Sequence, residues 1–290
     1  MRRLAVCEFS TLNASFEDDL DAYAAAGFDG ISICELKLVE GRERDQLEAF
    51  RASGLEASAA VTGVPSILPL PKFPGPEEPE VRVEAIVAGM RRLAPFEPTA
   101  FVCPTGAAGE LDDEEARRIV GEGLRVLADE SAWLGVPVGL EAMSSFERED
   151  WTLVTTLADA AALVDESGAD VGLVFDTWHL WDTPGLEDEI ARLGDRFVAV
   201  QVNDWRSPTR SWCDRVLPGE GVADLGPILD AVERTGWAGF YDLEVFSDDG
   251  TFGNDFEDSL WRLPARELAE RGRARLAQVE LSSSIEGRAV

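Results

Sequence analysis

Val171-Gly172-Leu173-Val174-Phe175-Asp176 is a short apolar run, rich in β-branched and aromatic residues, that stops at a carboxylate. Its length and composition suit a buried parallel strand rather than a helix. Working outward, seven more such runs appear at Leu4–Phe9, Gly30–Cys34, Glu56–Val61, Ala100–Cys103, Val136–Glu141, Phe197–Asn203 and Phe240–Val245. An amphipathic helical stretch follows each of them, which is the pattern of a parallel sheet with crossover helices. The helix punctuation agrees. Ser15 precedes the acidic Glu17-Asp18 and Gly27 closes that helix; Asp112 opens a helix that Gly135 ends; Asp224 and Gly236 bracket another. Eight units, with no GxGxxG after the first strand, favour a closed (β/α)8 TIM barrel over a doubly wound open sheet.

The 290 residues, 45% of them hydrophobic, are enough for one large core. The expected organisation is a single barrel domain over residues 1–275 and a disordered tail over 276–290. Between Val64 and Val81 six prolines interrupt the rhythm: Pro65, Pro69, Pro71, Pro74, Pro76 and Pro79. That segment reads as a stiff loop after the third strand, placed to wall the catalytic face of a barrel.

With 26 basic and 56 acidic residues the formal charge is -30, which repels phosphate backbones and anionic membranes. Nucleic acid and membrane are therefore not expected partners. No signal-peptide core or long apolar run is present, so a soluble, cytoplasmic protein is expected. Cys7, Cys34, Cys103 and Cys213 are too scattered for a paired-thiol motif and read as buried, reduced thiols.

The chemistry concentrates where four late strands end. These ends read Gly139-Leu140-Glu141, Phe175-Asp176-Thr177-Trp178-His179, Val200-Gln201-Val202-Asn203-Asp204 and Tyr241-Asp242-Leu243-Glu244. Adjacent strands lie about 4.8 Å apart, so three carboxylates and an amide can converge above the barrel. Carboxylates buried together repel one another, and a bound cation is the simplest resolution.

In this order the motifs resemble the xylose-isomerase-like barrel superfamily, including its ketose 3-epimerases and inosose-processing enzymes, over nearly the whole chain. The resemblance implies metal ligands at Glu141, Asp176, Gln201 and Glu244, with Glu141 and Glu244 as the catalytic acid–base pair. It also implies substrate contacts from Glu147, six residues after Glu141, from His179 in an Asp-x-x-His motif, and from Arg215 ahead of the Pro218-Gly219-Glu220-Gly221 loop. Trp178 and Asp204 join them as candidates from the same strand ends. Gln201 departs from the usual histidine. An all-oxygen set prefers hard ions, so one Mn²⁺ or Mg²⁺ is expected. His179 is the only histidine, which disfavours a multi-zinc nuclease.

The implied reaction is isomerisation or epimerisation of a ketose or related carbohydrate through an enediolate. The alternatives are a lyase acting on a 3-oxo-glycoside or inosose with the same metal, and a non-catalytic sugar-binding barrel. A homo-oligomer and a small partner subunit are both compatible with the resemblance. Trp178, Trp181, Trp205 and Trp212, with Phe246 and Phe252, crowd the late loops and suit either stacking on a substrate or packing of the barrel.

Overall fold

Each apolar run becomes a strand because both of its faces are covered, one by the barrel interior and one by helices. The structure, a computed structural model, describes residues 2–73 and 75–286. Its barrel strands are β1 (Arg3–Cys7), β2 (Gly30–Cys34), β3 (Glu56–Val61), β4 (Phe101–Pro104), β5 (Val138–Glu141), β6 (Gly172–Asp176), β7 (Phe197–Val202) and β8 (Phe240–Leu243). All neighbours pair in parallel, and β8 closes the ring on β1 with Arg3 opposite Phe240 and Val6 opposite Leu243. The fold is the expected (β/α)8 TIM barrel. The first strand ends earlier than expected, because Glu8 and Phe9 enter a 3-10 turn over Glu8–Thr11.

The main helices are α1 (Phe16–Ala26), α2 (Glu43–Ser53), α3 (Pro79–Leu93), α4 (Asp113–Leu134), α5 (Leu157–Ser167), α6 (Leu186–Leu193), α7 (Leu225–Arg234) and α8 (Ala265–Glu286). Their ends follow the capping chemistry. Ser15 accepts a hydrogen bond from the Asp18 N–H, and Asp112 accepts one from Glu115. Gly27 ends α1 at φ 80°, a left-handed conformation that a β-carbon would strain. Pro79 takes the first position of α3, where its missing N–H costs nothing.

The expected boundary at 275 needs correction. The last helix continues to Glu286, and Leu276 and Val279 are buried on the barrel, so apolar contact holds the helix past that point. The rest of the expected tail, 287–290, lies outside the described residues. All four cysteines are buried and free, as the sequence suggests. No helix among the described residues is long and apolar enough to cross a membrane.

Two apolar clusters divide the interior. The larger lies between strands and helices; the smaller fills the barrel and rises over the C-terminal ends of its strands. In the second cluster the packing gives way to the cavity.

Candidate active site

Alternation along a strand puts residues two apart on one face. Gln201 and Asn203 therefore share the inward face of the seventh strand end, and Asp242 and Glu244 that of the eighth. The register sets Asp176 beside Gln201, and Gln201 beside Asp242. Glu141 is the last residue of β5, Asp176 the last of β6, and Glu244 follows β8 directly. The four expected ligands are all buried, at 5% exposure or less; Glu141, Gln201 and Glu244 line one cavity, and Asp176 meets them through Arg215.

Arg215 ties the floor together. Its Nη1 donates to Asp176 Oδ2 at 2.9 Å and to Glu244 Oε2 at 3.0 Å. The guanidinium lies between the rings of Trp178 and Phe246, 4.8 and 4.6 Å from their centroids. Burial alone would lower its pKa, but Asp176, Glu244 and Glu141 hold it above the ordinary arginine value. The remaining oxygen of Asp176, Oδ1, accepts from the Trp178 N–H at 2.8 Å and from Asn203 Nδ2 at 3.0 Å.

The floor carries too much negative charge for Arg215 to balance. With all three ionised, Glu141, Asp176 and Glu244 would exceed Arg215 by two negative charges, the charge of one divalent cation. The carboxyl groups respond accordingly. Burial, then Glu244 and Asp176, raise Glu141 well above the usual carboxylate range. Burial raises Glu244 to about 7 against the pull of Arg215. Asp176 also rises, for the same reason and against the same pull.

Gln201 Nε2 donates to Glu244 Oε1 at 2.8 Å, while its Oε1 is buried with no partner among the described residues. A buried amide oxygen without a donor is costly, and it is a competent ligand for a hard cation. The donor set and the charge balance thus fit a divalent metal.

Glu141, Asp176 and His179 also bring ligand-type atoms within 4.8 Å of one another. His179 is the weaker member of that trio. Its Nδ1 accepts from the Ser144 N–H at 3.0 Å, and burial, then Arg215, hold its pKa well below the ordinary value. A neutral ring bonded in this way carries its proton on Nε2, which leaves no lone pair there for a metal. That N–H faces Asp176 Oδ2 at 3.6 Å and Glu141 Oε1 at 3.9 Å, on the side where a substrate oxygen would lie. Arg215 Nη2, 3.3 Å from Nε2, is then a neighbour rather than a hydrogen-bond donor to it.

The other expected substrate contacts divide. Trp178, His179 and Arg215 line the cavity with Glu141, Gln201 and Glu244. Asp204 does not. Its carboxylate instead accepts the backbone N–H groups of Trp205, Gly219, Gly221 and Ala223 at 2.8–3.0 Å, so it anchors the loop around Pro218-Gly219-Glu220-Gly221. The backbone of Glu147 lies in a 3-10 turn over Ser145–Glu147, and its side chain lies outside the described residues. The proline-rich segment does wall the cavity, through Pro65 and Phe73; its Pro74 is outside the described residues. Of the late aromatics, Trp212 and Phe246 line the cavity, whereas Trp181 and Trp205 do not.

Sequence reading missed Asn203, Cys7, Phe9 and Trp151. Asn203 bridges Asp176 and the Glu244 backbone carbonyl, which it reaches at 2.8 Å. Its position two residues after Gln201 on one strand was the available signal. Cys7 Sγ lies 3.2 Å from Glu244 Oε1, a contact between β1 and β8 that only barrel closure creates.

Comparison with known proteins agrees with this architecture. A 3-dehydroshikimate dehydratase of Pseudomonas aeruginosa is 32% identical over 155 residues, which cover 51% of this chain and 23% of that protein. An inosose isomerase of Bacillus velezensis is 28% identical over 138 residues, 46% of this chain and 48% of that protein. The chain thus matches about half or less of the length of these relatives. A crystal structure of an IolI protein with a bound zinc atom has a TM-score of 0.77 and 20% identity, covering 96% of this chain and 98% of that one, a likeness of fold. The family model described as Xylose isomerase-like TIM barrel matches residues 20–278, and with the closed eight-stranded barrel it establishes that the chain belongs to that family.

Proposed function

We propose that the protein is a divalent-metal-dependent sugar isomerase or epimerase, moving a proton on a carbon beside a carbonyl of a ketose, an inosose or a related carbohydrate. The observation that carries this reading is the state of Glu141. It is a buried carboxylate facing the cavity with no hydrogen bond among the described residues, and its surroundings raise its proton affinity. A base that must take and return a proton needs that freedom; the raised proton affinity is that of the metal-free floor, which a bound cation would lower.

Glu141, Asp176, Gln201 and Glu244 would hold the metal, Mn²⁺ or Mg²⁺ by their all-oxygen donors. When bound, the metal would polarise the carbonyl and acidify the adjacent C–H. In this reading Glu141 takes the proton and Glu244 returns one. Returning it to the opposite face of the same carbon inverts that centre; returning it to the neighbouring carbon moves the carbonyl. His179 offers its Nε2–H to a substrate oxygen, and Arg215 supplies fixed positive charge as negative charge develops there.

A second reading is a lyase in which the same proton loss expels a β-substituent; the 32% match to a 3-dehydroshikimate dehydratase favours keeping it. Incubation of Mn²⁺-loaded protein with ketoses and inososes in deuterated water, followed by proton NMR, separates the cases. Solvent deuterium appearing beside the carbonyl supports proton transfer, and a new alkene signal identifies the lyase. Metal binding with no exchange from any compound would overturn both.

A further inference from the structure

Glu244 lies one residue past the end of β8, beyond the strand ladder. Its own peptide groups bond toward β7: its N–H donates to the Val202 carbonyl at 3.2 Å, and its carbonyl accepts from Asn203 Nδ2 at 2.8 Å. On the opposite side the chain has already left the barrel wall. The register between β1 and β8 ends with Val6 opposite Leu243, and the chain then enters the 3-10 turn Glu8–Thr11.

Ser10, in that turn, closes the gap. Its hydroxyl donates to the Leu243 carbonyl at 3.1 Å and accepts from the Val245 N–H at 2.9 Å. These are the groups that a strand residue opposite Glu244 would bond in a parallel ladder. Such a residue gives its N–H to the carbonyl before Glu244 and takes the N–H after it on its own carbonyl. One side-chain oxygen replaces both groups, because a hydroxyl is donor and acceptor together. Ser10 is fully buried and does not line the cavity.

The turn that carries Ser10 is itself fixed at both ends. Glu8 Oε2 accepts from the Cys34 N–H at 2.8 Å, and Thr11 Oγ1 donates to Asp19 Oδ1 at 2.7 Å. Trp261 Nε1 joins the turn to the strand end again, donating to the Phe9 carbonyl at 2.7 Å and to the Val245 carbonyl at 3.2 Å. Cys7, the last residue of β1, donates its thiol proton to Glu244 Oε1 at 3.2 Å. Backbone and side chain at Glu244 are thus both held from the β1 side.

We infer that Ser10 is a positioning residue for Glu244: by bonding the peptide groups on either side of it, Ser10 sets the direction of the carboxylate while staying outside the cavity. The inference rests on the reading of the floor as a metal site. Removing a group that orients a metal ligand typically weakens metal binding by about 10- to 100-fold.

A double-mutant cycle tests the assignment. Mn²⁺ affinity is measured by calorimetric titration of the parent, Ser10→Ala, Glu244→Ala and the double variant, each checked for folding by circular dichroism. Ser10→Ala should weaken Mn²⁺ binding by about tenfold or more in the parent. Where Glu244 is already Ala, the same substitution should cost about twofold or less, the scatter of independent sites. A general loosening of the barrel would instead weaken both backgrounds alike. Ser10→Cys, a milder change should the first not fold, keeps the shape but bonds more weakly; it should lose part of the affinity with the same dependence on Glu244. Equal losses in the two backgrounds would overturn the inference and leave the floor reading. So would folded Ser10 variants that bind as tightly as the parent while Glu244→Ala binds weakly. A parent that does not bind Mn²⁺, or a Glu244→Ala variant that binds it as tightly as the parent, would remove the floor reading and the inference with it.

Discussion

Gln201 turns its amide N–H toward Glu244, 2.8 Å away, and so leaves its own carbonyl oxygen as the unpaired acceptor of the floor. The orientation is the one a ligand amide needs. Glu244 holds the nitrogen end, and the oxygen end is left for a cation.

Replacing Gln201 with His tests that assignment. Imidazole is a better donor than an amide for the later first-row metals, so Gln201→His should fold normally and move metal preference from Mn²⁺ toward Co²⁺ and Zn²⁺. Competition titrations of parent and variant give the comparison. An unchanged order of preference would place Gln201 outside the coordination sphere.

Arg215 and a metal answer to the same carboxylates, so they should compete. Arg215→Met removes the cation that bridges Asp176 and Glu244, and leaves buried carboxylates that protonation or metal must neutralise. Breaking a buried pair from one side typically costs about 3–5 kcal/mol. Metal-free variant should therefore melt well below the parent, and added Mn²⁺ should raise its melting temperature by more than it raises the parent's. Calorimetry of both proteins with and without metal would show equal metal-induced shifts if Arg215 and the cation do not share those charges.

Much of this site was legible in sequence because barrel geometry is regular. A carboxylate or amide at the end of strands five, six, seven and eight must come to one end of the barrel, whatever the side-chain details; Glu141, Gln201 and Glu244 line the cavity there, and Asp176 lies beside Gln201. Three kinds of information were not legible. Contacts across closure, such as Cys7 to Glu244, join residues far apart in the chain with no shared spacing. Loop side chains have no period to fix their direction, so Asp204, one residue past Asn203, looked like another floor acceptor although it holds loop backbone. The limit of the last helix was misplaced because its C-terminal stretch is polar, and Leu276 and Val279 find their burial only on the assembled barrel.

Asp242 gives the barrel a pH dependence of stability. It is 2% exposed inside β8, one alternation below Glu244, and its Oδ1 has no partner among the described residues. Burial, with Glu244 adding repulsion, raises its pKa to about 7. The folded state therefore holds a proton that the unfolded chain releases near pH 4, so this stability is complete below that range and is lost as pH rises toward 7. The contribution is at most about 4 kcal/mol. In metal-free protein, Asp242→Asn should remove it, so that the variant gains on the parent across that window and melts higher at pH 8. Denaturant titrations at pH 5 and pH 8 check the sign; a stability difference between variant and parent that is the same at both would overturn it.

The last expectation concerns Asp204, whose role the structure moves from substrate contact to loop anchor. Its Oδ1 accepts from Trp205 and Ala223, and its Oδ2 accepts from Gly219 and Gly221. The same segment forms the two-residue ribbon that pairs Trp205 with Arg215, so the anchor lies next to the residue that bridges the floor. Asp204→Asn turns an NH2 group toward two N–H donors and should be more disruptive than its size suggests. The expected loss is roughly 1–3 kcal/mol, the cost of leaving buried donors unpaired. Hydrogen exchange should locate the damage, with faster exchange at the amides of Gly219, Gly221 and Ala223 and no change in the amides of the β5 and β6 strands. Metal affinity should stay close to the parent's, because Asp204 touches none of the four ligands. A variant with normal exchange in that loop and a raised KM would return Asp204 to the substrate.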